Sequence, residues 1–228
     1  SIRQSLFLRG DNTRMKNRKT RFIGIIAMVV MVAVMLMPVG VQAASQKSMA
    51  IQAYKKFLSN ATIPWEDDWN VRASRCWFAL AYIDNNNVPE LIVSNSLDVP
   101  HAGGHGRIFT YKNGKVQRIA ELYMDNSKFS YYKKKGIYAD SYAQGGVTNT
   151  YYKLSGITKT KKLSIFKNVA RLAWLPKGTS YYDISGAANV KISKKTFNKK
   201  LKKMVGSRKM TNVSLKKNTS SNRKRYLK

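Results

Sequence analysis

Residues 77–94 read WFALAYIDNNNVPELIVS, and the fold is decided there. From Trp77 to Ile83 every residue is apolar or aromatic, the composition of a core strand. Asp84, Asn85, Asn86 and Asn87 follow. Short polar side chains of this kind bond their own backbone and tolerate positive φ, so the strand ends at this run. Pro89 cannot donate to a sheet ladder, and a second strand therefore begins at Glu90 and continues through Leu91, Ile92 and Val93.

The D-x-N-x-x-P-E-L spacing from Asp84 to Leu91 resembles the calcium loops of FG-GAP and VCBS-type repeats. It is more similar still to a loop in a group of secreted Gram-positive proteins. In such loops alternate positions aim oxygens at a hard cation, which takes six to eight of them at about 2.3–2.6 Å. The resemblance implies Asp84 and Asn86 as side-chain ligands, the Val88 carbonyl as a third, Glu90 as the closing acid, and calcium as the cofactor. Tyr82 stands where the pattern's first acid belongs, Asn86 replaces an acid and Asn87 replaces a glycine. Affinity tracks ligand charge, so the expected site is a weak one. The other reading of the same residues is a plain turn between two core strands. Beyond the loop, the similarity extends over most of the chain after Ser45 and implies an architecture and a surface location, not a reaction.

Upstream, Met15 is followed by Lys16, Arg18, Lys19 and Arg21, then an apolar run over 22–37, Pro38 and Val41-Gln42-Ala43. A basic region, an apolar core and a small-x-small end are the three parts of a secretory signal, with cleavage expected after Ala43. Residues 1–14 read as upstream sequence or an extended start, and 15–43 as the signal. The alternative is an uncleaved anchor, because 22–41 approaches the roughly 20 residues that span a bilayer. The chain carries 42 basic and 11 acidic residues, net charge +31; seven and one of these precede Ala44, so the remaining 185 residues keep +25. That charge implies attraction to polyanions, on an exterior surface an anionic cell-wall polymer or an anionic lipid surface. Cys76 is the sole cysteine, which excludes an internal disulfide.

The remaining elements follow from periodicity and punctuation. Ala50, Ala53, Tyr54, Phe57 and Leu58 predict an amphipathic helix over 45–60 that covers a sheet face. Residues 61–75 read as an irregular segment in which Trp65 and Trp69 sit beside Glu66, Asp67 and Asp68. Lys112-Asn113-Gly114 predicts a tight type I′ hairpin between strands 107–111 and 115–122. Further strands are expected over 129–133, 136–142, 148–154, 163–174 and 179–185. Their tyrosines, interleaved with lysines, are read as cross-strand pairs, with a stacking platform as the alternative. From Ile184 onward the chain has no acid. Phe197, Leu201, Met204 and Val205 share one helical face there, so 194–205 is a basic amphipathic helix capped by Ser193, and 218–228 forms a short helix seated by Tyr226 and Leu227 or frays. The expected fold class is α+β: an antiparallel β-meander sheet with an N-terminal helix and a basic C-terminal helix packed on it, the domain covering 44–185 and the basic helical tail 186–228.

These features point to a secreted, non-enzymatic, cell-surface or cell-wall-associated protein with a weak calcium loop and a polyanion-binding basic tail. Its polyanion contacts would come from Lys194, Lys195, Lys199, Lys200, Lys202, Lys203, Arg223, Lys224 and Arg225. A binder of nucleic acid or acidic glycans is an alternative, although no nucleic-acid-binding signature accompanies the charge, so no specific nucleic acid is expected. A metal-dependent extracellular hydrolase is another. Asp98, His101 and His105 lie on a Gly-rich loop and are residue types that hold transition metals, without the three or four placed ligands of a strong zinc motif. Cys76-Trp77 lacks the Gly-rich context of a cysteine nucleophile and reads as core.

Overall fold

The computed structural model describes residues 39–66, 69–95, 105–124, 128–143, 147–155, 158–168 and 178–228. The chain divides into two compact units, Ser1–Ala44 and Ser45–Lys228. Of the first, only the start of helix α1 (Val39–Ser59) is described. Strands β1 (Thr62–Glu66) and β2 (Trp69–Arg72) and a 3₁₀ turn (Ala73–Arg75) lead into β3 (Trp77–Ala81) and β4 (Glu90–Ser94). Then come β5 (His105–Lys112), β6 (Lys115–Tyr123), β7 (Lys128–Tyr132), β8 (Ile137–Ala143), β9 (Val147–Ser155), β10 (Thr158–Asn168), β11 (Gly178–Asp183) and β12 (Val190–Ile192). Helix α2 (Lys194–Val205), β13 (Thr211–Ser214), β14 (Lys216–Lys217) and helix α3 (Ser220–Tyr226) complete the chain.

The α+β class with antiparallel strands is what the molecule shows. The single meander expected from the sequence is corrected to two main sheets. Among the described residues one runs β14-β3-β4-β5-β6, the other β12-β11-β10-β9-β8-β7-β13, and β1-β2 forms a separate hairpin. Alternation along β4 gives the reason. Leu91 and Val93 join Phe78 and Phe109 in a core closed by Tyr54 and Leu58 of α1, Ile63 and Trp65 of β1, and Leu227. Ile92, on the opposite face, joins Ala79, Ile108 and Leu122 in a second core with Phe129, Tyr131, Tyr138 and Tyr152 of the seven-stranded sheet. Every residue of β4 is buried because both faces are covered. The far face of the seven-stranded sheet carries a third cluster, Tyr132, Ile137 and Val205 with Leu201 and Met204. The order of layers is therefore α1 with the β1-β2 hairpin, the five-stranded sheet, the seven-stranded sheet, and α2.

Three further expectations change. The segment 61–75, expected to be irregular, contains the β1-β2 hairpin; Trp65 is fully buried but Trp69 is 49% exposed. The tail 186–228 is not only helical. β12 pairs β11, β13 pairs Phe129 and its neighbours on β7, and β14 pairs Trp77 and Phe78 on β3, so the tail closes edges of both sheets. Helix α1 starts at Val39, ahead of the expected residue 45. The Asn-Gly hairpin forms as expected, with φ +53 at Asn113 and +75 at Gly114, the pair of positive values a type I′ turn needs. The tyrosines pair as expected: Tyr131 faces Tyr138, which faces Tyr152 across the next ladder.

Candidate functional site

Loop 84–88 is closed by its own polar groups. Asp84 Oδ1 accepts from Asn86 N at 2.9 Å, Asp84 Oδ2 accepts from Asn86 Nδ2 at 2.9 Å, and Asn86 Oδ1 accepts from Val88 N at 2.8 Å. This is the side-chain-to-backbone bonding that short polar residues favour in turns. Asn87 takes φ +51, and its Oδ1 accepts from Lys134 Nζ at 2.6 Å. An ammonium thus reaches into the loop from the turn between β7 and β8.

Glu90 begins β4 wholly buried. Its Oε2 accepts from Ile83 N at 2.8 Å, while Oε1 has no hydrogen-bond partner. Burial first, and then the charge of Asp84, push its pKa up to about 8, against the pull of backbone N–H groups led by Ile83. Burial also raises Asp84. Beside the pair, Tyr54 of α1 donates its hydroxyl to Pro89 O at 2.9 Å and fastens the start of β4 to the helix.

The four residues implied by the resemblance therefore lie along one loop, but most of their oxygens are engaged. Both oxygens of Asp84 hold Asn86, Asn86 Oδ1 holds Val88 N, and Glu90 Oε2 holds Ile83 N. Glu90 Oε1 is the exception. A hard cation needs six to eight oxygens, so it would share these hydrogen-bonded oxygens and require further ligands beside them. Among the described residues no cluster of three or more His, Cys, Asp or Glu side chains could hold a metal.

The basic residues named from the sequence do not form one surface. On α2, Phe197 packs between the rings of Tyr151 and Tyr181, with centroids at 6.1 and 5.2 Å, and Val205 is buried near the other end. Ser193 Oγ caps the helix by accepting from Thr196 N at 3.1 Å. Lys194, Lys195, Lys199, Lys202 and Lys203 are left exposed. Lys200 is spent on Asp183, at 2.9 Å, and that contact with the Ser185 hydrogen bonds lowers the Asp183 pKa to about 2. Arg223, Lys224 and Arg225 lie on α3, whose following residue Leu227 is seated in the core beneath α1. Arg223 donates to Asn218 Oδ1 at 2.9 Å, and the Arg225 guanidinium lies over the Tyr226 ring.

His105 starts β5, half-buried, with its ring 6.2 Å from that of Tyr123. Asp98 and His101, and the apolar segment 22–37 of the expected signal, lie outside the described residues, as do Asp67 and Asp68. Cys76 is buried, its thiol pushed up to about 11 by burial, which suits a core residue and not a nucleophile. Of the tyrosines in the alternative stacking reading, Tyr131, Tyr138 and Tyr152 are enclosed between the sheets, whereas Tyr142 is half-buried against the exposed Tyr123.

No family model matches the chain, and no curated protein matches it. Among solved structures, it is similar to the structure of a Xanthomonas Type IV Secretion System related protein, at 10% identity and a TM-score of 0.40. The match covers 51% of this chain and 57% of that one.

Proposed function

We propose that the chain is a secreted, non-enzymatic surface module that holds a polyanionic polymer on the outer face of α2. The observation that carries this reading is the helix itself. It has no acid, its apolar side is docked on the seven-stranded sheet, and Lys194, Lys195, Lys199, Lys202 and Lys203 face solvent. Docking leaves no apolar side for insertion into a bilayer, which a surface-bound amphipathic helix requires. Binding of the full chain to a phosphate polymer should weaken steeply as salt rises, since screening acts on exposed charge. Salt-insensitive binding, or none at low ionic strength, would overturn the reading.

A calcium ion at 84–90 is the second reading, supported by the buried, unpartnered Glu90 Oε1 beside Asp84. A bound ion holds Glu90 ionised and stabilises the native state by mass action. On this reading millimolar calcium raises the Tm over a chelator control, and Asp84→Ala abolishes the rise. An unchanged Tm reduces the loop to a turn closed by Asp84, Asn86 and Lys134.

A further inference from the structure

The turn between β7 and β8 carries Lys133, Lys134, Lys135 and Gly136. It is clamped from outside its own hairpin. Lys134 N donates to Tyr82 O at 2.9 Å, Gly136 N donates to Ile83 O at 2.7 Å, and Leu154 N donates to Gly136 O at 2.7 Å. Lys134 and Gly136 both take positive φ, +60 and +66. The Lys134 side chain is used up in the clamp through Asn87, whereas Lys133 and Lys135 are exposed. Loop 82–87 thus serves as a bracket for the lysine turn, which explains why an Asn-rich run sits at that place.

The bracketed turn emerges at the C-terminal end of α2. Tyr132 and Ile137, which flank the turn on either side, share a core with Leu201, Met204 and Val205 of the helix. A Cβ built on Gly206, the residue that ends the helix, would stand 3.7 Å from Lys135 Nζ. A cation there is favoured by the carbonyls that a helix leaves unpaired at this end. Lys135 therefore prolongs the row begun by Lys195, Lys199, Lys202 and Lys203, and Lys133, whose ammonium lies 5.8 Å from the Tyr82 ring centroid, adds a second exposed cation on the same turn. Of the acids nearby, Asp183 is neutralised by Lys200 and Asp84 is folded onto Asn86.

We propose that Lys133 and Lys135 and the lysine row of α2 form one composite surface for a flexible linear polymer with a phosphate in each repeat. The proposal rests on the reading of α2 as a polyanion surface and adds to it a second, rigid element and a partner chemistry. Lysines four apart on a helix rise about 6 Å along its axis. A polymer charged once per short repeat can follow that row and turn onto the corner, where a flat bilayer cannot. Among the described residues, the large apolar side chains that are exposed, Met49, Trp69, Tyr123, Val190, Met210 and Tyr226, include none from α2 or the turn. A turn already fixed by three backbone hydrogen bonds also loses little freedom on binding, so its charges contribute more fully.

Three charge-matched variants of the full chain test this against poly(glycerol phosphate) of defined length: Lys133→Gln/Lys135→Gln, Lys199→Gln/Lys203→Gln, and Lys224→Gln/Lys228→Gln. All six residues are exposed, so an unchanged Tm confirms each fold. The turn and α2 variants should each lose about five- to thirtyfold in affinity and reduce the slope of log Kd against log salt by about 1.5, while the C-terminal variant loses less than about twofold. Loss in the α2 variant with none in the turn variant overturns the composite surface and leaves the α2 reading standing. No loss in either overturns both. Equal loss in all three makes the binding a net-charge effect and overturns the proposal. So does tighter, turn-dependent binding to phosphatidylglycerol vesicles than to the polymer.

Discussion

Helices α2 and α3 have the same kind of sequence, basic residues around a few apolar ones, yet the fold treats their charges in opposite ways. On α3 the polar groups close the molecule. Asn218, buried just ahead of the helix, donates from Nδ2 to Leu58 O at 2.8 Å and to Ala73 O at 2.9 Å, and its Oδ1 accepts from Arg223. Asn222 Nδ2 donates to Lys217 O, and the Tyr226 ring lies beneath both Lys216 and Arg225. On α2 the fastening is done by Phe197, Leu201, Met204 and Val205, and five lysines are left without an acidic partner among the described residues. The lesson is that a basic tail is not one functional object: its end is a clasp and its middle is a surface.

The comparison breaks most visibly at the clasp. Leu227→Ala removes a fully buried side chain from the core beneath α1 and should cost about 2–5 kcal/mol in a denaturant unfolding curve, with affinity for polyanion unchanged per folded molecule. Asn218→Leu strands the Leu58 carbonyl, leaves Ala73 O with only its bond from Cys76 N, and should cost about 1–3 kcal/mol. A second test sharpens the contrast from the other side. Reversing Lys195, Lys199 and Lys203 to Glu should lower polymer affinity by at least a hundredfold at low salt, at about 1 kcal/mol per cation, and leave the unfolding midpoint where it was.

Glu90 supplies a third test, on the bracket that holds the lysine turn. Its folded pKa, raised to about 8 from an ordinary value of 4.5, means that the native state keeps a proton the unfolded chain has lost. Stability therefore falls as pH rises from about 4.5 to about 8, by up to about 1.4 kcal/mol per pH unit, and levels off above. Glu90→Gln should flatten that slope. Calcium bound at Glu90 would hold it ionised in the native state and remove that fall in the same window. The smallest effect is expected at Asp183, where Asp183→Asn releases Lys200 from a surface ion pair. Stability should change by less than about 1 kcal/mol and polymer affinity should rise slightly.

Much of this was legible in the sequence wherever the signal is local. The strand-loop-strand at 77–94, the Asn113-Gly114 hairpin, and α2 with its Ser193 cap all follow from neighbours a few residues apart. The β1-β2 hairpin left only a short trace, Ile63 and Trp65 at period two and Val71 beyond the acids, interrupted by Pro64. The split into two sheets was not legible, because it depends on which face of β4 meets which partner. Nor was the pairing of Val213 with Phe129, or the contact of Lys134 with Asn87, since both join segments far apart in the chain. At the candidate site, the Asp84–Glu90 spacing was visible, but spacing does not tell whether oxygens face an ion or each other. The run Lys133-Lys134-Lys135 before Gly136 was visible too, and reads as a mere turn until α2 is placed beside it.

The central claim is that α2, and not the basic composition of the whole tail, holds the partner. The most direct measurement is the Kd of the full chain for poly(glycerol phosphate) across a salt series, comparing Lys195→Gln/Lys199→Gln/Lys202→Gln with Lys224→Gln/Arg225→Gln/Lys228→Gln. Both variants lose three charges. The account predicts a loss of tenfold or more for the first and less than about twofold for the second. Equal losses would contradict it, because the polymer would then be responding to net charge alone.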